Sequence, residues 1–400
     1  MSLAAWGLAA LLSGSMILCF AEVSSRFSRA GGAYLFTQAA FGPFVGLQIG
    51  WLSYFVRAIT GAVQANLFST YLAEFWPWAG TRPGGVVTTA LFLGFLALIN
   101  VRGVGSGARV SNTFALLKIT PLLVFGSLGL IWIATGHPLP PHVPANPTVG
   151  GWLQVLLLLM FAYGGFESAV IPLAEARDPR RHAPFALLLG LGIATLVYLL
   201  AQLTVLATLS DPHATGRPLA ASARVLLGPV GAATISFAAL ISVYGWLASN
   251  MLAVPRLSMA MAERGDFPGF FARVHPVFRT PWLSILAFAG LSWALANHAG
   301  LLQNLSLAAV SRLLIYGSVC AALPRFRRSD RQEPGKSEPA RFRAPAGTFM
   351  AGFGVAVSII LAARMNLREG VTLGMVMAAA SIYWLVRRRR DATMGSGLSP

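Results

Sequence analysis

Residues 161–168 read Phe161-Ala162-Tyr163-Gly164-Gly165-Phe166-Glu167-Ser168, a glycine pair and an acid set inside an apolar run, 150–174, long enough to cross a bilayer. In lipid each backbone polar group must be satisfied within its own segment. A Gly-Gly break followed by a carboxylate is therefore tolerated only where it lines a cavity enclosed by protein. Broken membrane helices of this kind commonly line binding sites, so the stretch sets both an expected fold class and a first candidate site.

Outward from it, the rest of the chain reads the same way. Of 400 residues 56% are hydrophobic and only 11% charged, far too few charges for a globular surface. Apolar runs recur at 3–20, 41–75, 84–100, 109–134, 150–174, 184–208, 228–262, 280–297, 299–323, 346–363 and 370–386, against the roughly 20 residues a span needs. The expectation is an all-α polytopic membrane protein with eleven transmembrane helices. The net charge of +17 suggests nucleic acid until the basic residues are placed. Then 22 of the 30 Lys and Arg fall on one set of alternating loops, five on the other (Arg82, Arg217, Arg224, Arg364 and Arg368), and three inside apolar runs. Positive-inside topology accounts for that pattern without a nucleic-acid partner.

The first run lacks the basic n-region of a signal peptide and is expected to span. Positive-inside then puts Met1 outside and the Arg387 to Arg390 run inside. A further helix upstream would return both ends to the cytoplasm. Transporters with broken helices commonly use two inverted repeats, each contributing one break. The Ser13-Gly14-Ser15 step is the only partner on offer, and small residues there read better as a close-packing point. Cys19 and Cys320 each lie within an expected helix and suggest no disulfide framework. The six histidines lack zinc spacing, and no cofactor motif is present: there is no G-x-x-x-x-G-K-[ST], H-E-x-x-H or G-x-S-x-G. With 28 arginines to two lysines, the chain reads as GC-rich in coding and hence bacterial, in the inner membrane.

Four segments in order carry a resemblance. Ala21-Glu22-Val23-Ser24-Ser25-Arg26-Phe27-Ser28-Arg29-Ala30-Gly31-Gly32-Ala33-Tyr34 precedes Phe41-Gly42-Pro43, and Gly165-Phe166-Glu167-Ser168 precedes Glu175-Ala176-Arg177-Asp178-Pro179-Arg180-Arg181. Ala262-Glu263-Arg264-Gly265-Asp266-Phe267-Pro268 precedes Phe271-Ala272-Arg273-Val274-His275, and Tyr316 stands ahead of Leu323 to Arg328. Together these resemble the amino acid permeases of the amino acid-polyamine-organocation (APC) superfamily over essentially the whole chain. The resemblance implies an inverted-repeat (LeuT-like) transporter fold of twelve helices, entered here at the second. Residues 1–134 would be the remainder of the first repeat and 150–323 the second. A basic cytoplasmic loop at 324–345, two last helices at 346–390 and a tail at 391–400 would follow. The glycine-rich helix that holds the substrate carboxylate in relatives would lie outside the chain.

The same resemblance implies site residues. Phe161, Ala162, Tyr163, Gly164 and Gly165 would form the substrate-binding break, with carbonyls for the substrate ammonium, half-helix dipoles orienting the zwitterion and Phe161 over the bound side chain. Glu167 would couple occupancy to gating. The alternative is structural: Gly164-Gly165 permits close helix packing and Glu167 pairs with a buried Arg. Lys118, roughly 13 Å deep at 1.5 Å per residue, resembles the lysine that stands in proton-coupled relatives where sodium sits in others. A desolvated Lys can load and release a proton. Trp246, Ser249 and Asn250 match site-facing positions, with plain packing as the alternative for Trp246. Glu22, Glu175 and Asp178, set among arginines, would form inner-gate ion pairs or remain solvated loop charges.

Arg57 and Arg312 are read from the residues alone. Guanidinium groups do not deprotonate, so deep in apolar runs each must meet an anion, water or helix-end carbonyls. Glu167 is the only acid equally deep, which makes the expected cavity electropositive and leaves room for a substrate carboxylate. The expected function is secondary active transport of neutral or anionic amino acids, by proton-coupled symport or exchange. The alternatives are a non-transporting remnant or sensor of the same fold, or an intramembrane enzyme, for which no nucleophile-base pair or paired acids are visible.

Overall fold

The computed structural model describes residues 2–27, 32–103, 108–141, 148–168, 178–332 and 339–395. Among them are twelve α-helices: α1 (Ser2–Ser24), α2 (Gly32–Phe41), α3 (Pro43–Leu72), α4 (Arg82–Arg102), α5 (Ala108–Ala134) and α6 (Val149–Tyr163), then α7 (Pro179–Thr208), α8 (Pro218–Glu263), α9 (Trp282–His298), α10 (Leu301–Gln332), α11 (Gly347–Ala362) and α12 (Leu367–Gly395). No strand occurs among the described residues. The chain is an all-α polytopic membrane protein.

Seven helices, α1, α4, α5, α7, α8, α10 and α12, are long and apolar enough to cross a bilayer by themselves. The others fall short for visible reasons. α6 stops at the glycine pair after 15 residues and α11 has 16. α3 runs for 30 residues but carries Gln48, Arg57 and Thr60 on buried faces, which dilutes its hydropathy and marks it as a helix surrounded by protein.

The apolar runs and the helices differ most in three places, and α12 also continues past its run to Gly395, into the segment expected as a tail. A separate short helix precedes the run 41–75: α2 ends at Phe41, Gly42 takes φ 94° and Pro43 opens α3, a position where its missing N–H costs nothing. The run 228–262 is preceded by a further helical segment from Pro218, and the two meet at a break at Gly228. Past Leu323, α10 continues to Gln332 and takes up the start of the segment expected as a loop.

Packing divides the helices into two groups joined through α3 and α10, and through α5, which lies against both α7 and α8. On one side α1 lies against α6, α7, α10 and α11; on the other α3 lies against α4, α8 and α9. One apolar core, with Phe20, Leu157 and Tyr316 inside, fills the first group, and another, with Leu93, Leu247 and Phe288, fills the second. The Ser13-Gly14-Ser15 step lies within unbroken helix, with Gly14 facing Leu191 of α7. That is the small-residue contact by which membrane helices approach closely.

Candidate functional site

The glycine pair does break the membrane helix. After Tyr163, Gly164 is extended at φ −74° and ψ 163°, Gly165 takes φ +106°, and a 3-10 turn follows at Phe166–Ser168. Only glycine adopts the second of these conformations without strain. The break frees backbone groups that the site must satisfy. The Gly165 N–H donates to Glu167 Oε2 at 2.9 Å and to the Tyr316 hydroxyl at 3.3 Å; that hydroxyl in turn donates to Glu167 Oε2 at 2.6 Å. The Phe161 carbonyl accepts from Arg312 Nη1 at 3.1 Å and the Ala162 carbonyl from the Tyr198 hydroxyl at 2.9 Å.

Arg312 reaches the break from α10. Its Nε lies 3.7 Å from Glu167 Oε1, its Nη2 donates to Thr60 Oγ1 of α3 at 3.0 Å, and its guanidinium carbon sits 4.9 Å from the centre of the Phe161 ring. One side chain thus ties α3, α6 and α10 together. Glycine at 164 makes room for it, since a Cβ there would lie 2.5 Å from Arg312 Nη1. At Gly164 the close neighbour is thus the Arg312 side chain and not a helix backbone, a Cβ at Gly165 would meet nothing within 4 Å, and Glu167 stands against a buried arginine.

Arg57, buried near the middle of α3, donates to Asn250 Oδ1 of α8 at 3.3 Å. A cavity of about 20 Å³, lined by both Arg57 and Glu167, separates it from the break. That volume suits a water molecule, and it is far below that of an amino acid, so in this conformation the centre is closed. Two buried guanidinium groups face one carboxylate, Glu167, whose side chain is 12% exposed. Low dielectric magnifies this imbalance, and any occupant of an enlarged cavity would meet a positive field.

The other expected residues distribute unevenly. Asn250 is brought to Arg57 and also donates to the Trp246 carbonyl at 3.0 Å. Ser249 is exposed and turns its hydroxyl to the Gly245 carbonyl of its own helix, while Trp246 packs against the second apolar core. Tyr163 points away from Arg312, its hydroxyl on the Trp6 carbonyl and its ring against Trp6 and Tyr198. Lys118 is half-buried on α5, which packs on α7 and α8, the helices that carry Tyr198 and Asn250.

Glu22 is fully buried at the end of α1. It accepts from Arg327 Nε and Nη2 at 2.8 and 2.6 Å and from the Ala344 N–H at 2.8 Å, and Arg26 lies 3.8 Å away and pairs with Asp330. Asp178 pairs with Arg341, both partly exposed, and Glu175 lies outside the described residues. Sequence reasoning gave no role to Thr60, Tyr198 or Tyr316. Tyr316 was visible only as part of a matching segment, and Thr60 carried no signal, because its importance comes from facing a side chain 252 residues away.

Comparison with known proteins agrees with this architecture. The amino acid permease family matches residues 1–386. The chain is similar to the serine/threonine exchanger of Bacillus subtilis, 26% identical over 98% of this chain and 89% of that protein. It is also similar to the human cationic amino acid transporter 4, 30% identical over 84% of this chain and 56% of that protein. The methylthioribose transporter of B. subtilis is 27% identical over 71% of this chain and 65% of that protein.

Proposed function

The chain belongs to the amino acid permease family and is a multi-pass membrane transporter, and on that premise we propose that it moves neutral or anionic amino acids by proton-coupled symport or by exchange. The observation that carries the substrate class is the charge of the closed centre. Arg57 and Arg312 outnumber Glu167, and Arg57 is met by the neutral amide of Asn250. A substrate carboxylate opposite Arg57 would restore balance, whereas a cationic substrate would add a third positive charge to a poorly solvated space.

Transport then proceeds by rocking the α1, α6 and α7 group against the α3, α4, α8 and α9 group, as secondary transporters do around a midplane site. The break at 161–165 and the α8 face at Trp246, Ser249 and Asn250 line the opened cavity. Arg312 holds the Phe161 carbonyl until the substrate ammonium takes its place, and Glu167 couples that exchange of partners to gating. Glu22 and Glu175 belong to the cytoplasmic gate, and Lys118 is the proton carrier.

One observation favours a second reading, a sensor of the same fold: the break's carbonyls at Phe161 and Ala162 are already engaged by the protein. Flux separates the two. The full chain is reconstituted in proteoliposomes and supplied with labelled serine, glutamate or arginine, with and without internal amino acid. Uptake or counterflow of serine or glutamate is expected. Binding without flux would establish the sensor, and a preference for arginine would overturn the substrate class.

A further inference from the structure

A second cavity, of about 490 Å³, lies away from the transport cluster, at the ends of the helices that the arginine distribution marks as cytoplasmic. Its walls include Tyr34 of α2, Arg264 and Asp266 in the turn after α8, and Trp384, Arg387 and Arg388 of α12. The volume falls in the range of small-molecule sites, about 300–1,000 Å³.

Three guanidinium groups line it against one carboxylate, and that carboxylate is already engaged. Asp266 is buried, accepts the Tyr34 hydroxyl and pairs with Arg387. Among the described residues no carboxylate pairs with Arg264 or Arg388, and both side chains are exposed. Solvated surface arginines would fit that description too, but here the turn that carries Arg264 is fixed through its backbone. Trp51 Nε1 donates to the Asp266 carbonyl at 3.0 Å, the Tyr383 hydroxyl donates to the carbonyls of Gly265 and Phe267 at 3.1 and 2.7 Å, and Arg387 Nη2 donates to the Arg264 carbonyl at 3.1 Å. The pocket is preorganised, so ordering it costs little on binding.

Its rim is apolar. The Trp384 ring packs edge-on against Phe44, and Phe44, Leu385 and Val386 beside it are exposed. An occupant must therefore be amphipathic, anionic at one end and hydrocarbon at the other, and must sit at the level where tryptophan anchors proteins to the membrane interface. We propose that this pocket binds the headgroup of an anionic phospholipid, with the phosphodiester held between Arg264 and Arg388 and the acyl chains along Phe44 and Leu385. Guanidinium groups suit this task because their planar forks match phosphate oxygens, and basic pockets between helices on the cytoplasmic side recognise such headgroups.

The test is native mass spectrometry of the full chain in detergent, titrated separately with phosphatidylglycerol, phosphatidylcholine and inorganic phosphate. Retained phosphatidylglycerol adducts are expected, with weaker phosphatidylcholine binding. Retention should fall roughly tenfold or more in the Arg264→Gln/Arg388→Gln variant and recover in large part in Arg264→Lys/Arg388→Lys, which keeps the charge. Arg388→Gln alone, on an exposed turn, serves if the double variant fails to fold and should lose about threefold or more. Equal retention of the two lipids, or retention unchanged by the glutamine substitutions, would overturn the proposal. So would displacement of phosphatidylglycerol by millimolar inorganic phosphate, which would make this a free-anion site.

Discussion

Arg312 is the residue on which the centre turns, because it supplies at once a counter-charge for Glu167, a donor for the Phe161 carbonyl and a bond to Thr60. Removing one partner of a buried ion pair leaves the other uncompensated, at about 3–5 kcal/mol. Glu167→Gln should therefore both lower thermal stability and cut flux at least tenfold. Loss of stability with normal flux, each corrected for folded protein, would make the acid purely structural. Gly164→Ala tests the close approach. Its Cβ would meet a guanidinium already pinned at two points, so a loss of about 1–3 kcal/mol is expected in a melting experiment, and an unchanged melting temperature would mean that Arg312 has another place to go. The break itself was legible in the sequence, since a glycine pair beside an acid has few uses inside lipid. Which arginine answers Glu167 was not legible, because Arg57 and Arg312 look alike until the helices are packed.

At the scale of the element, α6 and α10 define each other. α6 ends where two glycines release its backbone, and Arg312 and Tyr316 of α10 take up the Phe161 carbonyl and share the Gly165 N–H. α10 reaches beyond its apolar run because Arg327 finds the buried carboxylate of Glu22. The last turns of α10 should thus depend on that pair. In Arg327→Ala, hydrogen exchange at residues 325–332 is expected to accelerate by tenfold or more with little change in the membrane part of the helix; protection equal to the parent would show that the turns hold on their own. Arginine-rich sequence after a proline at 324 reads as a loop in isolation, which is why this extension escaped the sequence. So did α2, whose ten residues are too few to register apart from the longer run beside them.

For the whole molecule, the sequence carried the fold class through composition, run length and arginine placement, properties that survive averaging over a whole chain. Coupling is also a property of the whole molecule, since it links one group's proton to the motion of two helix groups. Lys118 lies on α5, against α7 and α8, whereas Arg57 and Arg312 lie on α3 and α10. Its proposed role is therefore exerted through helix movement and not by contact with Glu167. Lys118→Ala should abolish the part of uptake driven by an imposed proton gradient while sparing counterflow of unlabelled against labelled substrate. Gradient-driven uptake equal to the parent would remove the lysine from the coupling scheme.

The distance along the chain between the partners in the centre has a consequence for how the protein is made. Arg312 caps a carbonyl 151 residues upstream, which at the usual pace of a ribosome, about 5–20 residues per second, means roughly 8–30 s between the emergence of the two. For that interval α6 has its broken backbone and its acid without their cation, and Arg57 waits even longer in sequence for Asn250, 193 residues on. A nascent chain halted before α10 holds the Phe161 carbonyl and Glu167 without the arginine that meets them in the finished protein. The break in α6 is thus completed only after synthesis has passed residue 312.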